Sequence, residues 1–117
     1  MIRHLVYECL PGAYAGGVQK MVFELASAQR RLGADVEIWT PNALRAGSTE
    51  IFDELPVRYF SANPLFGLAR SFRLRQEIAT LPKTAILHAH NTFNPLNLQA
   101  GAAAAEHGLK AFYHPHG

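Results

Sequence analysis

The 117-residue chain predicts a doubly wound α/β domain, a mainly parallel sheet with helices on both faces. Three observations carry this. Apolar runs of strand length alternate along the chain with segments whose apolar residues recur at helical spacing. Gly, Pro or Asn punctuates the changes, as at Pro11 and Gly12, Gly33, Pro41 and Asn42, Asn63 and Pro64, and Gly108. Strands alternating with helices in this way require right-handed crossovers, which set the strands parallel and cover the sheet on both sides.

The first strand is Ile2 to Leu10 (IRHLVYECL), an apolar run closed by Pro11 and Gly12 and suited to burial on both faces. Val18, Met21, Val22, Leu25 and Leu32 then fall at helical spacing, and Gly33 supplies the left-handed residue that often stops a helix. Asp35 to Thr40 (DVEIWT) is the second strand, with Val36 and Ile38 alternating against polar neighbours and a turn at Pro41 and Asn42. The stretch from 43 to 56 reads as a loop with at most one helical turn, followed by a third strand, VRYF, at 57 to 60. Asn63 and Pro64 look like a cap and first-turn proline opening a second helix, with Leu65, Leu68, Ala69, Phe72, Ile78 and Leu81 inward and the arginines outward. Thr84 to His90 (TAILHAH) is a fourth strand, Pro95 to Glu106 a third helix stopped near Gly108, and Lys110 to His114 (KAFYH) a fifth strand.

Composition narrows the class. The length fits one domain, and 49% hydrophobic with 17% charged residues describes an ordinary globular interior rather than a disordered or fibrous chain. A net charge of +2, with basic residues scattered apart from Arg70, Arg73 and Arg75, gives no nucleic-acid footprint. The single cysteine, Cys9, lies in an apolar run, which points to a buried thiol and a reducing compartment. Glu8 interrupts the N-terminal apolar stretch, so no signal peptide is expected, and no window nears the roughly 18 apolar residues of a spanning helix. The expected location is cytoplasmic.

In doubly wound sheets ligands bind outside the C-terminal ends of the strands. The notable residues all fall there: Gly12, Gly16 and Gly17 after the first strand, His88, His90 and Asn91 at the end of the fourth, His114 and His116 at the end of the fifth. The glycines run G-x-x-x-G-G, which is not the G-x-G-x-x-G of dinucleotide binding, and Trp39, Thr40 and Pro41 close the second strand with no ribose-binding carboxylate. Val18 and Gln19 follow Gly17 where a P-loop has lysine and a hydroxyl residue. Two adjacent glycines before a helix still let its first backbone N–H groups approach an anion such as phosphate. The competing reading is a tight strand-to-helix turn and nothing more.

His88 with His90, and His114 with His116, are spaced so that both members of a pair face one side of a strand. Two such pairs on neighbouring strands can converge on zinc, a spacing also found in metal-dependent hydrolases. Against this, no carboxylate lies near either pair, and Pro115 bends the chain between His114 and His116. The plainer reading makes His88 a satisfied core residue, packs His114 at a strand end, and puts His4 and His107 on the surface. His90 and His116, furthest out along their strands, are the better functional candidates. A neutral imidazole there can hydrogen-bond a sugar hydroxyl or a developing charge without a metal.

The order Gly16-Gly17, VFELASAQRRLGADVEIWTPN, ILHAHN, FYHPHG resembles the N-terminal half of the retaining GT-B glycosyltransferases of family 4, most closely over residues 1–42 and 84–117. The resemblance implies a Rossmann-like, acceptor-side domain, incomplete at its C-terminus. It also implies a second, donor-binding domain that is absent from this chain and without which the fragment is expected to be inactive. It assigns the donor diphosphate to Gly16 and Gly17, the active-site histidine to His116, and the edge of the acceptor pocket to His90 and Asn91. The implied reaction transfers a sugar from a nucleotide-sugar donor to a sugar, lipid or polyol hydroxyl with retention, in glycan biosynthesis. The nucleotide-sugar is a co-substrate, no metal or other cofactor is expected, nucleic acid is not a partner, and peripheral membrane contact is compatible with a lipid acceptor. Two alternatives stand beside it: a non-catalytic α/β module holding a phosphorylated ligand on the glycine loop, and a zinc hydrolase fragment using the histidine pairs.

Overall fold

The computed structural model describes residues 1–6, 17–42, 45–61, 63–65, 68–70, 72–90 and 95–115. The first apolar run gives β1 (Ile2–Leu5), and the helix-spaced residues after it give α1 (Gly17–Arg31). Val6 follows β1, and residues 7–10 of that run, with Cys9, lie outside the described residues. Then come β2 (Val36–Pro41), β3 (Thr49–Phe52), β4 (Leu55–Phe60), β5 (Asn63–Leu65), β6 (Leu68–Arg70), α2 (Phe72–Thr80), β7 (Ile86–His90), α3 (Pro95–Glu106) and β8 (Lys110–His114). Gly33 (φ +93°) and Gly108 (φ +70°) hold left-handed conformations just past α1 and α3, the stops the sequence announced.

The main sheet runs β3-β4-β2-β1-β7-β8, and β5 with β6 forms a separate small pair. Every pairing from β4 through to β8 is parallel, so the expected mainly parallel α/β sheet is what forms. Strand order ascends from β1 outward through β2 and β4 on one side and through β7 and β8 on the other. The reversal between β1 and β7 is the switch point at which such sheets open a ligand crevice.

Period-two alternation sorts the side chains into two cores. Val36, Ile38, Val57, Tyr59 and Val6 bury against Val22 and Ala26 of α1. Leu5, Trp39, Phe60, Leu87 and Ala89 face the other way and meet Leu74 and Ile78 of α2 and Ala100, Ala103 and Ala104 of α3. The alanines let α3 lie close to the sheet. At the opposite end of the strands Arg3, 5% exposed, reaches Asp35 at 3.2 Å and Glu37 at 3.0 Å, while Glu37 also accepts from the Trp39 indole N–H at 3.1 Å. A buried guanidinium needs this dense pairing to offset its lost hydration.

Four local expectations are corrected. The stretch read as a loop contains β3, which pairs antiparallel with β4. Its turn places Asp53 (φ 48°) and Glu54 (φ 68°) in consecutive left-handed conformations, those of a type I′ hairpin turn built without the usual glycine. The second helix starts at Phe72 rather than at Asn63, because Asn63–Leu65 and Leu68–Arg70 pair with each other as strands. Pro41 is the last paired residue of β2, opposite Phe60, where a missing N–H costs little. Leu32 lies beyond the end of α1 and is 88% exposed.

Trp39, 1% exposed and packed on Phe60 at 5.2 Å between ring centroids, anchors the second core. Trp39→Ala is expected to lower unfolding free energy by about 3–5 kcal/mol in urea titration, whereas Leu32→Ala should stay within about 0.5 kcal/mol of the parent.

Candidate functional site

The site is built where β1, α1, β7 and β8 meet the switch point. Gly17 opens α1 and is exposed. A Cβ placed on it would meet no described atom within 4 Å, and Gly17 is not among the positive-φ glycines Gly33, Gly47 and Gly108. Among the described residues, then, neither crowding nor a left-handed backbone calls for glycine there. The first turn of α1 carries no acidic side chain, leaving its amide-bearing end electrostatically open to an anion. Gly16, Asn91 and His116 lie outside the described residues.

Beside the end of β1 the structure assembles imidazoles. The parallel register sets His4 opposite His88 and His90 opposite His114, with all four on one face of the sheet. His88 and His90 stack at 4.2 Å between centroids and 23° between planes, and His4 lies 5.1 Å from His88 and 5.2 Å from His90. His114 closes the group at 5.7 Å from His88 and 5.8 Å from His90. His4 and His90 are fully buried, His88 is half-buried and His114 exposed.

Hydrogen bonds fix the tautomers. The Gln29 side-chain oxygen lies 2.7 Å from His4 Nε2 and can only accept, so Nε2 carries the hydrogen of the neutral ring. His4 Nδ1 is then the acceptor, facing His90 Nε2 at 3.0 Å, which donates. Burial pushes the His4 pKa below its ordinary value, opposed more weakly by the Gln29 bond, so His4 is neutral at pH 7. Asn97 of α3, itself 1% exposed, donates from Nδ2 to the His90 carbonyl at 2.6 Å and ties the end of β7 to that helix.

His4 is thus corrected from a surface residue to a fully buried one, because β1 is covered on both sides by parallel neighbours. His107 is exposed and His114 ends its strand, both as expected. His88 is half-buried rather than a sealed core residue, its strand partner Phe112 being 55% exposed. The imidazoles that converge belong to β1 and β7, with His4 joining His88 and His90 so that one ring nitrogen from each lies within 4.8 Å of the others. Gln29 and Asn97 were not singled out from sequence. Gln29 had a signal, lying seven residues after Val22 on the inner stripe of α1; Asn97 had none, being one polar residue in an apolar helix.

Residues 16–117 match the family described as the glycosyl transferase 4-like domain. No curated protein and no solved structure matches the chain. No helix among the described residues is long and apolar enough to cross a membrane.

The lowered pKa of His4 has a stability consequence. The unfolded chain binds the proton with a pKa near 6.5 and the folded chain with a lower one, so stability is full above pH 6.5 and falls as pH drops toward the folded value. In chelator-treated buffer, urea midpoints should decline on acidification through that window, and His4→Gln should flatten this decline. An unchanged slope in His4→Gln would remove His4 as its source.

Proposed function

The chain belongs to the glycosyl transferase 4-like family, and on that premise we propose that it is the acceptor-side part of a glycosyltransferase that moves a sugar from a nucleotide-sugar to an acceptor hydroxyl with retention. The observation that carries this is the extent of the family match. It begins at the glycine pair, runs to the histidine-glycine ending, and covers every described element of the fold except β1. In this reading a second nucleotide-binding domain closes the cleft, and the acceptor is a sugar, lipid or polyol.

The roles are those the family resemblance implies, and general chemistry supports them. Gly16 and Gly17 let the first amides of α1 approach the donor diphosphate, whose negative charge grows as the sugar–phosphate bond breaks. Preoriented backbone N–H groups stabilise that charge without an ionised side chain, so no cofactor is required for the transfer. His116 is placed nearer the reacting sugar, offering a neutral imidazole to a hydroxyl. His90 and Asn91 stand at the acceptor edge. Because the His90 ring is sealed against His4, its contribution there is to fix the strand end from which Asn91 follows.

The open space around Gly17 makes a clean test, since a Cβ there meets no described atom within 4 Å and Gly17→Val is expected to fold like the parent. Assayed with its donor-binding domain, that variant should lose about tenfold to a hundredfold in turnover, the size of one charge-assisted hydrogen bond of about 1.5–3 kcal/mol. Turnover at the parent rate would reduce the glycines to a turn. His116→Ala should lower turnover while leaving nucleotide affinity, measured by calorimetry, nearly unchanged. A matching loss of affinity would move His116 to the phosphate side of the site.

A further inference from the structure

We propose that His4, His88 and His90 form a binding site for a zinc ion at the β1/β7 switch point, sharing with the groups assigned to sugar transfer only His90, whose ring is given no contact with the acceptor there. Each offers one ring nitrogen, and those three nitrogens already lie within 4.8 Å of one another. Nitrogens bound to one tetrahedral zinc at about 2.0–2.1 Å sit roughly 3.3 Å apart. His4 Nδ1 and His90 Nε2, at 3.0 Å, are near that spacing now. The third nitrogen closes in by rotation of the His88 ring, which is half-buried and lies toward the uncovered side of β8.

The tautomer supports the same assignment. A zinc-binding imidazole presents one bare nitrogen to the metal and commonly donates its other N–H to an oxygen that fixes the ring. His4 is set in this way, with Nε2–H held by the Gln29 oxygen at 2.7 Å and Nδ1 turned to the cluster. In the metal-free chain the His90 Nε2–H hydrogen occupies the place between the two rings. Binding through His90 Nε2 therefore requires that hydrogen to move to Nδ1, a tautomer shift of the neutral ring that releases no net proton.

Donor chemistry selects the cation. Three imidazoles without a carboxylate suit zinc and its borderline neighbours, not magnesium or calcium, which take oxygen ligands. Three protein ligands leave a fourth position for water. The ion would cross-link β1 to β7, strands 86 residues apart at the His4–His90 contact, and so stabilise the sheet at the crevice. Sugar transfer is not needed to detect it, so the test stands whether or not the transferase reading does.

The tag-free chain, stripped with chelator and dialysed, would be titrated with Co²⁺ as the spectroscopic probe and then with Zn²⁺ in competition. Expected are a visible d–d band of four-coordinate intensity saturating at one cobalt per chain, its displacement by one zinc, and a melting temperature that climbs with zinc concentration. His88→Ala, which leaves the His4–His90 bond in place, should abolish the band while keeping the parent circular dichroism. Gln29→Leu should weaken zinc by about tenfold to a hundredfold, and His107→Ala should change nothing. Should His88→Ala not fold, the decision passes to NMR of cobalt-loaded wild type, where the His4, His88 and His90 ring signals must shift and that of His107 must not. No band and no rise in melting temperature for wild type, full binding by folded His88→Ala, or paramagnetic shifts confined to other histidines would each overturn the site.

Discussion

The parallel pairing of β1 with β2 on one side and β7 on the other is the constraint on which the rest of the structure depends. A parallel strand cannot be joined to its neighbour by a short turn, so each pairing forces a crossover and brings a helix onto the sheet. α1 joins β1 to β2 and fills one core, while the long return from β4 through α2 to β7 fills the other. Because β1 is central, its residues face packed layers on both sides, and Arg3, His4, Leu5 and Val6 are all at 5% exposure or less. Its direction also places the strand ends, the first turn of α1 and the end of β7 at one rim, so the candidate site is a consequence of the same pairing.

The two ends of β1 handle buried polarity differently. At its start Arg3 is charged and meets two carboxylates, Asp35 just before the adjacent strand and Glu37 within it. Near its end His4 is neutral and hydrogen-bonds with an amide and another imidazole. An ion pair needs opposite charges in fixed geometry, so the Arg3 end acts as a clamp on β1 and β2. Neutral rings carry no such obligation, and a hydrogen bond between two of them can be exchanged for another donor or a metal. Rigid pairing at one end and convertible hydrogen bonding at the other is an arrangement suited to a binding rim on a fixed scaffold.

Most of the architecture was legible in the sequence. Long periodic or uniformly apolar segments declared themselves, and α1, β2, β7, α3 and β8 lie within two residues of where pattern and punctuation placed them. The hairpin of β3 and β4 was not, because Asp53 and Glu54 take left-handed conformations that glycine or asparagine would have signalled. The start of α2 was misplaced because Asn63-Pro64 is as good an opening for an irregular strand pair as for a helix. Of the site, its location at the strand ends and the shared face of His88 and His90 followed from spacing. The entry of His4 did not, since it needs the register that sets His4 opposite His88, and register between distant parallel strands leaves no local mark. His4 nonetheless sat inside a run read as buried on both faces, and that reading alone argued against a surface histidine.

The imidazole cluster is not what packing would select. The same face of β1 and β7 carries Ile2, Val6 and Ile86 beside His4, His88 and His90, so aliphatic side chains of similar volume already suit this layer. A buried imidazole loses hydration that its hydrogen bonds only partly restore, as the lowered His4 pKa records, whereas valine or leucine would gain roughly 1.5–3 kcal/mol from the same burial. Isolated, such a residue can be dismissed as a tolerated polar exception with a partner. Two of them on adjacent strands, joined by a half-buried third and all mutually within 4.8 Å, multiply that cost at one point. The point is the switch point, where doubly wound sheets place their ligands. A concentrated sacrifice of packing energy there is what a binding site requires of its scaffold, and it makes the end of β1 and β7 a chemical feature of the domain as well as a structural seam.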